Sequence, residues 1–385
     1  MSGIVGNNTG IESGQVIATA GAGYITDTSD PTTSTNPSAV GIVFTNSDTG
    51  ETYVCNTATA GSNVWKNVGG GTGDIEPTVT SQGTQYGFLG GGYLPSAATG
   101  LNIQKFSLTA DTDSVDHGAD LSISKSHAGG HQSWSMGYSS SGAHPTSGAI
   151  YDVIDKFPFA SSTNAVDWGD LTQPRNRYGD ASSLTHGYGM GGTGSPSYTG
   201  TDVIDKFSFT SDAGASDVGD TQSPSYDHYG QCGMSHINGG YAYCAGGNTY
   251  VGSNQWDNTI QKVAYDSDAN AIDVADLTLA RDSSTASSST TYGYISGGIS
   301  PGSTDRHEKY QFATTNNACD IGNLISGVIA YGTGISGIGY GYYCGGYHSV
   351  KFDMIQKYSY TSDGDSVDGG ANLVSAMYSF AGIHH

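Results

Sequence analysis

The sequence predicts an all-β protein made of repeated four-stranded sheets. Two observations carry that prediction. The chain holds 59 glycines in 385 residues, roughly twice the usual share, with charged residues at 12% and aromatics at 10%. That composition disfavours long helices and does not fit disorder, which goes with many charges and few aromatics. The second observation is a six-fold internal repeat, the signature of an array architecture. Collagen is excluded, because the glycines do not recur every third residue.

The repeat is anchored on Ile154-Asp155-Lys156-Phe157 and Ile204-Asp205-Lys206-Phe207. Looser copies put the lysine at Lys105, Lys262, Lys309 and Lys357. Eleven residues after each lysine stands an aspartate: Asp116, Asp167, Asp217, Asp273, Asp320 and Asp368. That gap is constant while the spacing between lysines varies from 47 to 56, so insertions fall outside the unit. A glycine pair after a tyrosine-rich run marks five copies, at 91–92, 191–192, 246–247, 297–298 and 345–346. The second copy is degenerate there, around Met136-Gly137-Tyr138.

Each copy reads as four strands. Strand A is small and polar (residues 283–289). Strand B is aromatic and ends in the glycine pair (292–298). Strand C carries the lysine (154–159). Strand D ends in Asp-x-Gly-Asp-Leu (166–171). The C-to-D links are turn chemistry, as in Ser362-Asp363-Gly364. On strand C, alternation sends Phe157 and Phe159 to one face and Ile154 with the Lys156 stem to the other. Both faces are apolar, so each sheet needs a neighbour on both sides, and a ring of radially packed sheets supplies them.

A period near 50 with one glycine pair per unit resembles the Kelch family of β-propellers, over about 300 residues. The regular tryptophan after strand C is missing here; Tyr and Phe take its place. The resemblance implies a six-bladed Kelch-like propeller over residues 76–385. The tail, residues 376–385, matches a strand A and is expected to complete the first sheet, whose own strand B is 85–92. The competing closure makes 79–83 that strand. Closure removes exposed edges.

Residues 1–75 do not share the repeat and form a separate β-rich module. A Pro/Ser/Thr link (30–38) precedes Gly41–Cys55, whose apolar alternation around Asp48-Thr49-Gly50 predicts a β-hairpin with Trp65 as core. A flexible run, 69–73, follows. The Pro, the Gly-x-Val-x-x-Asn-Ser-x-Thr-Gly hairpin, the Trp and the Gly-rich exit resemble a module near the start of tail-fibre and other appendage proteins of tailed bacteriophages. The opening Met1-Ser2-Gly3-Ile4-Val5-Gly6 and the Ile-Asp-Lys-Phe blades look similar to such proteins too. The resemblance implies a virion structural protein, assembled in the host cytoplasm. It implies attachment to other virion proteins through residues 1–75 and a homo-oligomeric state.

Thirteen basic against 35 acidic residues give a net charge of −22, which excludes a nucleic-acid backbone and an anionic membrane surface as partners. No apolar run reaches the length of a spanning helix, and no secretion signal opens the chain. The five cysteines are scattered; Cys232 and Cys244 flank a turn at Asn238-Gly239 and read as buried free thiols.

Enzymatic readings find little. A sialidase needs an arginine cluster, and only Arg175, Arg177, Arg281 and Arg306 exist. A copper radical oxidase has the residue types here without the spacing. No nucleophile elbow, phosphate loop or His-Glu-x-x-His helix is present. His384-His385 reads as a chain end. No cofactor is expected; Asp111-x-Asp113-x-x-Asp116 and Asp363-x-Asp365-x-x-Asp368 resemble weak calcium loops but lack the bidentate Glu, and turn chemistry explains them. The repeated Lys and Asp positions read as architecture: ion pairs or turn caps within and between sheets.

The variable B–C loops share one face with the D–A loops. They carry Tyr93, His144, Tyr198, Tyr250, Trp256 and His348, of which Tyr198, Tyr250 and Trp256 lead as contacts for a sugar or a protein. The expectation is a non-enzymatic appendage whose loop face binds a host surface glycan or receptor. The alternatives are a capsid decoration or tail-scaffold protein binding other virion proteins and, further off, a glycan-degrading enzyme.

Overall fold

The computed structural model describes residues 23–69, 71, 82–94, 100–194, 200–222, 228–250 and 254–385, with backbone alone at 228, 250 and 254. The chain divides into two compact units, Met1–Val79 and Thr80–His385. The opening residues, most of the 69–73 run and residues 79–81 of the competing closure lie outside the described residues.

In the first unit, Val43–Asn46 and Thr52–Thr57 pair antiparallel, as the alternation predicts. The turn is set by Asn46, whose Oδ1 accepts from Asp48 N at 2.9 Å and whose carbonyl accepts from Gly50 N at 2.8 Å. Val64–Asn67 adds to one edge antiparallel, and Tyr24–Asp27 to the other in parallel. Trp65 is fully buried against Phe44, edge to face at 5.6 Å, with Ile42, Tyr53 and Cys55 around it.

The second unit is a propeller-like arrangement of repeated four-stranded antiparallel sheets. The first sheet is Ala381–His384, Tyr86–Gly90, Asn102–Ser107 and Val115–Asp120, from the inner strand outward. The next five follow in chain order, with inner strands Gly129–Gln132, Gly179–Ser182, Cys232–His236, Thr285–Ser288 and Thr333–Ser336. The fourth sheet carries an extra short strand, His228–Tyr229. Each inner strand touches the inner strands before and after it, and Ala381–His384 touches those of the second and sixth sheets, which closes the ring. The tail therefore completes the first sheet, and the carbonyl of His385 accepts from the nitrogens of Thr84, Gln85 and Tyr86. Inner strands are small because their backbones nearly touch: a Cβ on Gly233 would lie 2.0 Å from the Asp180 carbonyl.

The core lies between sheets. Phe157 and Phe159 pack on Phe88 of the first sheet, while Ile154 packs with Tyr138, Phe207 and Phe209 towards the third. The same strand-B position is aromatic in all six sheets: Phe88, Tyr138, Tyr188, Tyr243, Tyr294 and Tyr342. In the five tyrosines the hydroxyl donates to a carbonyl on the following sheet, at 2.9 to 3.4 Å. Tyrosine thus fills the interface and satisfies a strand-end carbonyl that phenylalanine would leave to water.

Four of the repeated lysines, Lys105, Lys262, Lys309 and Lys357, lie over the first strand-B tyrosine of their own sheets, as Lys262 does at 4.6 Å from the Tyr241 ring. In three sheets the ammonium group reaches the C–D turn of the next sheet: Lys206 pairs with Asp268 at 3.0 Å, Lys309 with Asp363 and Lys357 with Asp111. Lys156 instead sits 3.3 Å over the Trp168 ring, and Lys105 over Tyr86. The aspartates eleven residues on do other work. Asp116, Asp167, Asp217, Asp320 and Asp368 each accept from the nitrogen of the glycine two residues later, an Asx turn that bends strand D. Asp273 is followed by Ala275 at that position.

The glycine pair is conformational, with φ of 60° to 77° and then 100° to 123°. The second sheet has the same pair as Ser141-Gly142, at 57° and 110°, and not at Met136-Gly137-Tyr138. In four of the five pairs a Cβ on the first glycine would meet a carbonyl of the next D–A link, 2.5 Å away for Gly297 and Ile329; at Gly191 it would meet the Gln231 side chain. At Ser141 the hydroxyl donates to the equivalent carbonyl, that of Arg175.

Candidate functional site

The D–A links meet at one end of the ring. The residue two positions before each inner strand has a left-handed backbone: His127 (φ 53°), Arg177 (55°), Gly230 (76°), Ser283 (52°), Tyr331 (59°) and Ser379 (56°). Each of these nitrogens donates to the carbonyl of the equivalent residue one sheet earlier. The six distances, from His127 N to Ser379 O round to Ser379 N to Tyr331 O, are 2.7, 3.2, 2.7, 2.8, 3.1 and 2.8 Å. The result is a closed ring of six backbone hydrogen bonds at the channel mouth. Left-handed backbone costs a residue with a Cβ ~1–2 kcal/mol, so five of the six positions carry that cost.

Two residues ahead of the ring lies a buried ionic layer. Lys125 pairs with Asp155 at 2.9 Å, Arg175 with Asp205 at 2.7 Å and Arg281 with Glu308 at 2.7 Å, all fully buried. The acid is always the residue before the repeated lysine. In the other three sheets that residue is Gln104, Gln261 or Gln356, and the D–A partner position holds Met377, His228 or Ile329. Acid and base occur together or not at all, since removing either partner of a buried pair strands a charge.

Behind the ring, the inner strands line a channel with a cavity volume of 140 Å³. Its walls are mostly Gly, Ala and Ser, and among the described residues its one carboxylate is Asp180. Burial raises that carboxyl to about 7, and Gly130 N donates to its Oδ2 at 2.8 Å. Cys232, in the same wall, is held as a thiol by burial, at about 11. Glycosidic hydrolysis uses two carboxylates.

In front of the ring stands an aromatic cluster. Tyr93 and Tyr378 stack at 4.8 Å with planes 9° apart, and Tyr347 and Tyr331 approach Tyr378 at 5.1 and 6.1 Å. His127 meets Tyr93 and Tyr331 edge to face, at 5.5 and 6.0 Å. Burial, and then the Arg177 charge, push the His127 imidazole well below its usual value, so it is neutral at pH 7. Two cations flank the rings: Arg177 lies 5.7 Å from the Tyr331 centroid and Lys351 5.5 Å from that of Tyr378.

Of the loop residues singled out by sequence, Tyr93 belongs to this cluster. His348 is exposed in the short strand Tyr347–His348, beside the tyrosine that does join it. Trp256 is half-buried in the fourth sheet, opposite Asn248, and no ring contact joins it to the cluster. Tyr198 and the Tyr250 side chain lie outside the described residues. His144 is a turn residue, its Nδ1 accepting from Thr146 N and Ser147 N. The aspartates of the two calcium-like loops face separate partners: Asp111 takes Lys357, Asp113 the nitrogen of Asn372 and Asp116 that of Gly118. Among the described residues no cluster of three or more His, Cys, Asp or Glu is placed to hold a metal ion. Sequence reading missed the D–A ring because five of its six members are not glycine; Gly230 is the one visible mark.

The all-β, multi-sheet architecture is consistent with a ligand- or surface-binding structural role. Among the described residues no helix is long and apolar enough to cross a membrane. No protein-family model matches the chain, and no curated protein matches it in sequence.

Proposed function

We propose that the chain is a non-enzymatic virion appendage protein of the bacteriophage tail-fibre type. Residues 76–385 act as a six-bladed Kelch-like propeller, and residues 1–75 attach it to other virion proteins as part of a homo-oligomer. The propeller presents its D–A and B–C face to a host surface glycan. The aromatic cluster carries this reading. Stacked Tyr93 and Tyr378, with Tyr347 and Tyr331 beside them, offer flat faces to a sugar on a rigid ring, and copy number on a particle turns weak contacts into firm attachment.

The test is a glycan array probed with the intact chain and with Tyr378→Ala. Retention of host-derived glycans by the intact chain and its loss in the variant is the expected result. Immunogold labelling of particles from the source culture then asks where the protein sits. Gold on fibres or tail tips agrees with attachment, and gold over the head or its absence from every particle overturns it.

A further inference from the structure

The ring positions share one backbone but not one side chain. Gly230 takes the left-handed conformation without strain, yet the equivalent positions hold His127, Arg177 and Tyr331, three large side chains in a conformation that disfavours them. Repetition explains the backbone and does not explain the choice of these three. All three line the same channel mouth, and each touches the aromatic cluster or another of the three.

Arg177 is the most telling. The chain has four arginines and 35 acidic residues. Arg175 pairs with Asp205, Arg281 with Glu308, and Arg306 with Glu308 and Asp320. Among the described residues Arg177 has no carboxylate within ion-pair distance. The nearby Asp282 feels its charge, but receives its hydrogen bond from Asn248 Nδ2 at 2.8 Å. A guanidinium held against the Tyr331 ring and left without an acid, in a chain of net charge −22, is placed for an anion from outside. His127 Nε2 is likewise buried without a hydrogen-bond partner among the described residues, and a ligand hydroxyl would give it one.

We propose that this rim recognises one carboxylate-bearing sugar residue, such as a uronic or sialic acid. The inference rests on the glycan-binding reading and narrows it. Arg177 takes the carboxylate through its planar fork, and the Tyr93–Tyr378 stack takes a face of the pyranose. Lys351, whose ammonium donates to the Leu94 carbonyl and lies over Tyr378, adds positive potential on the far side of the same rings. A long polyanion does not suit this site, since the rest of the surface repels it. A single acidic unit is served by local attraction within a Debye length.

Ligand-observed NMR on the intact chain, with glucuronate, N-acetylneuraminate and glucose as probes, tests this. One of the two acids is expected to bind at least tenfold more tightly than glucose, and Arg177→Gln is expected to weaken that acid about tenfold or more while leaving glucose unchanged. Arg177→Gly serves as the folding control: the backbone there already has the conformation glycine prefers, so its melting temperature is expected to equal or exceed that of the parent. Equal binding of acid and glucose overturns the proposal, as does acid binding that survives Arg177→Gln. If the glycan array shows only neutral sugars, the adhesion reading stands and this one falls. If it shows no sugar, both fall.

Discussion

The nitrogen of His127 donates to the carbonyl of Ser379 at 2.7 Å, joining the last D–A link to the first. This bond makes the ring of six continuous, and Ala381–His384 pairs with Tyr86–Gly90 immediately beyond it.

Removing residues 380–385 deletes that strand, exposes the edge of Tyr86–Gly90 and uncovers Phe88 and Phe106. The shortened chain is expected to lose cooperative unfolding and to self-associate through the open edge. Size-exclusion chromatography with thermal circular dichroism checks this. A monomer with the parent's melting temperature would mean that closure adds no stability.

The buried pairs carry their own control. Asp205→Asn strands the Arg175 guanidinium, which otherwise bonds Asp205 and the carbonyls of Gly189, Gly191 and Val203, and should cost ~3–5 kcal/mol. Asp205→Gln together with Arg175→Met copies the first sheet, where Gln104 Nε2 reaches Met377 Sδ at 3.1 Å. That double variant should recover most of the loss, to within about 1–2 kcal/mol of the parent. Urea titrations of the single and double variants give the coupling; additive losses would contradict it.

At the glycine pair, Gly297→Ala sets a Cβ 2.5 Å from the Ile329 carbonyl at φ 64°, and a loss of about 2 kcal/mol or more is expected. Gly297→Ser should lose less, because its hydroxyl can donate to that carbonyl as Ser141 donates to Arg175. Equal damage from Ala and Ser would show that Ser141 is tolerated for another reason.

Among the buried histidines, His131 and His307 contribute to the acid limit. His131 is fully buried, with Nδ1 3.0 Å from the Ala181 carbonyl and Nε2 2.7 Å from Ser140 Oγ. Nδ1 can only donate to a carbonyl, so neutral Nε2 accepts from the hydroxyl. Burial lowers His131 to about 4 and, with the Arg281 charge, His307 to about 3. Both folded values lie below the unfolded value near 6.5. Their contribution is complete above that pH and is lost as the pH falls from about 6.5 towards 4 and 3. Stability by urea titration should therefore drop between pH 7 and pH 4.5, and His131→Gln should make the drop shallower. An unchanged slope would place the acid sensitivity elsewhere.

Much of the ring was legible because its markers are chemical. Five of the lysines lie against a tyrosine of their own sheet and three reach an acid of the next; five of the aspartates accept from a strand-D nitrogen. Both needs restrict residue type and fix the spacing, so the sheets and the closing strand could be placed. The channel mouth was not legible, because its rule is a dihedral angle. His127, Arg177, Ser283, Tyr331 and Ser379 share a φ and no chemistry, and Ser141 hides in the same way where glycine was sought. The buried pairs lay between these cases. Asp155 and Asp205 stood inside the repeated motif, but attention to Lys156 and Lys206 passed over the neighbouring acids, whose partners lie 30 residues upstream.

The closing strand also imposes an order of events. Among the described residues, the first unit's hairpin and Trp65 core are built from residues 23–69, which are made early in synthesis. The sheet containing Tyr86–Gly90 is begun next and finished last, since its inner strand is made nearly 300 residues later. Throughout elongation five sheets can stack while the first waits with one edge open, so a ribosome paused before Ala381 holds an incomplete circle whose exposed edge could pair with that of a neighbouring chain.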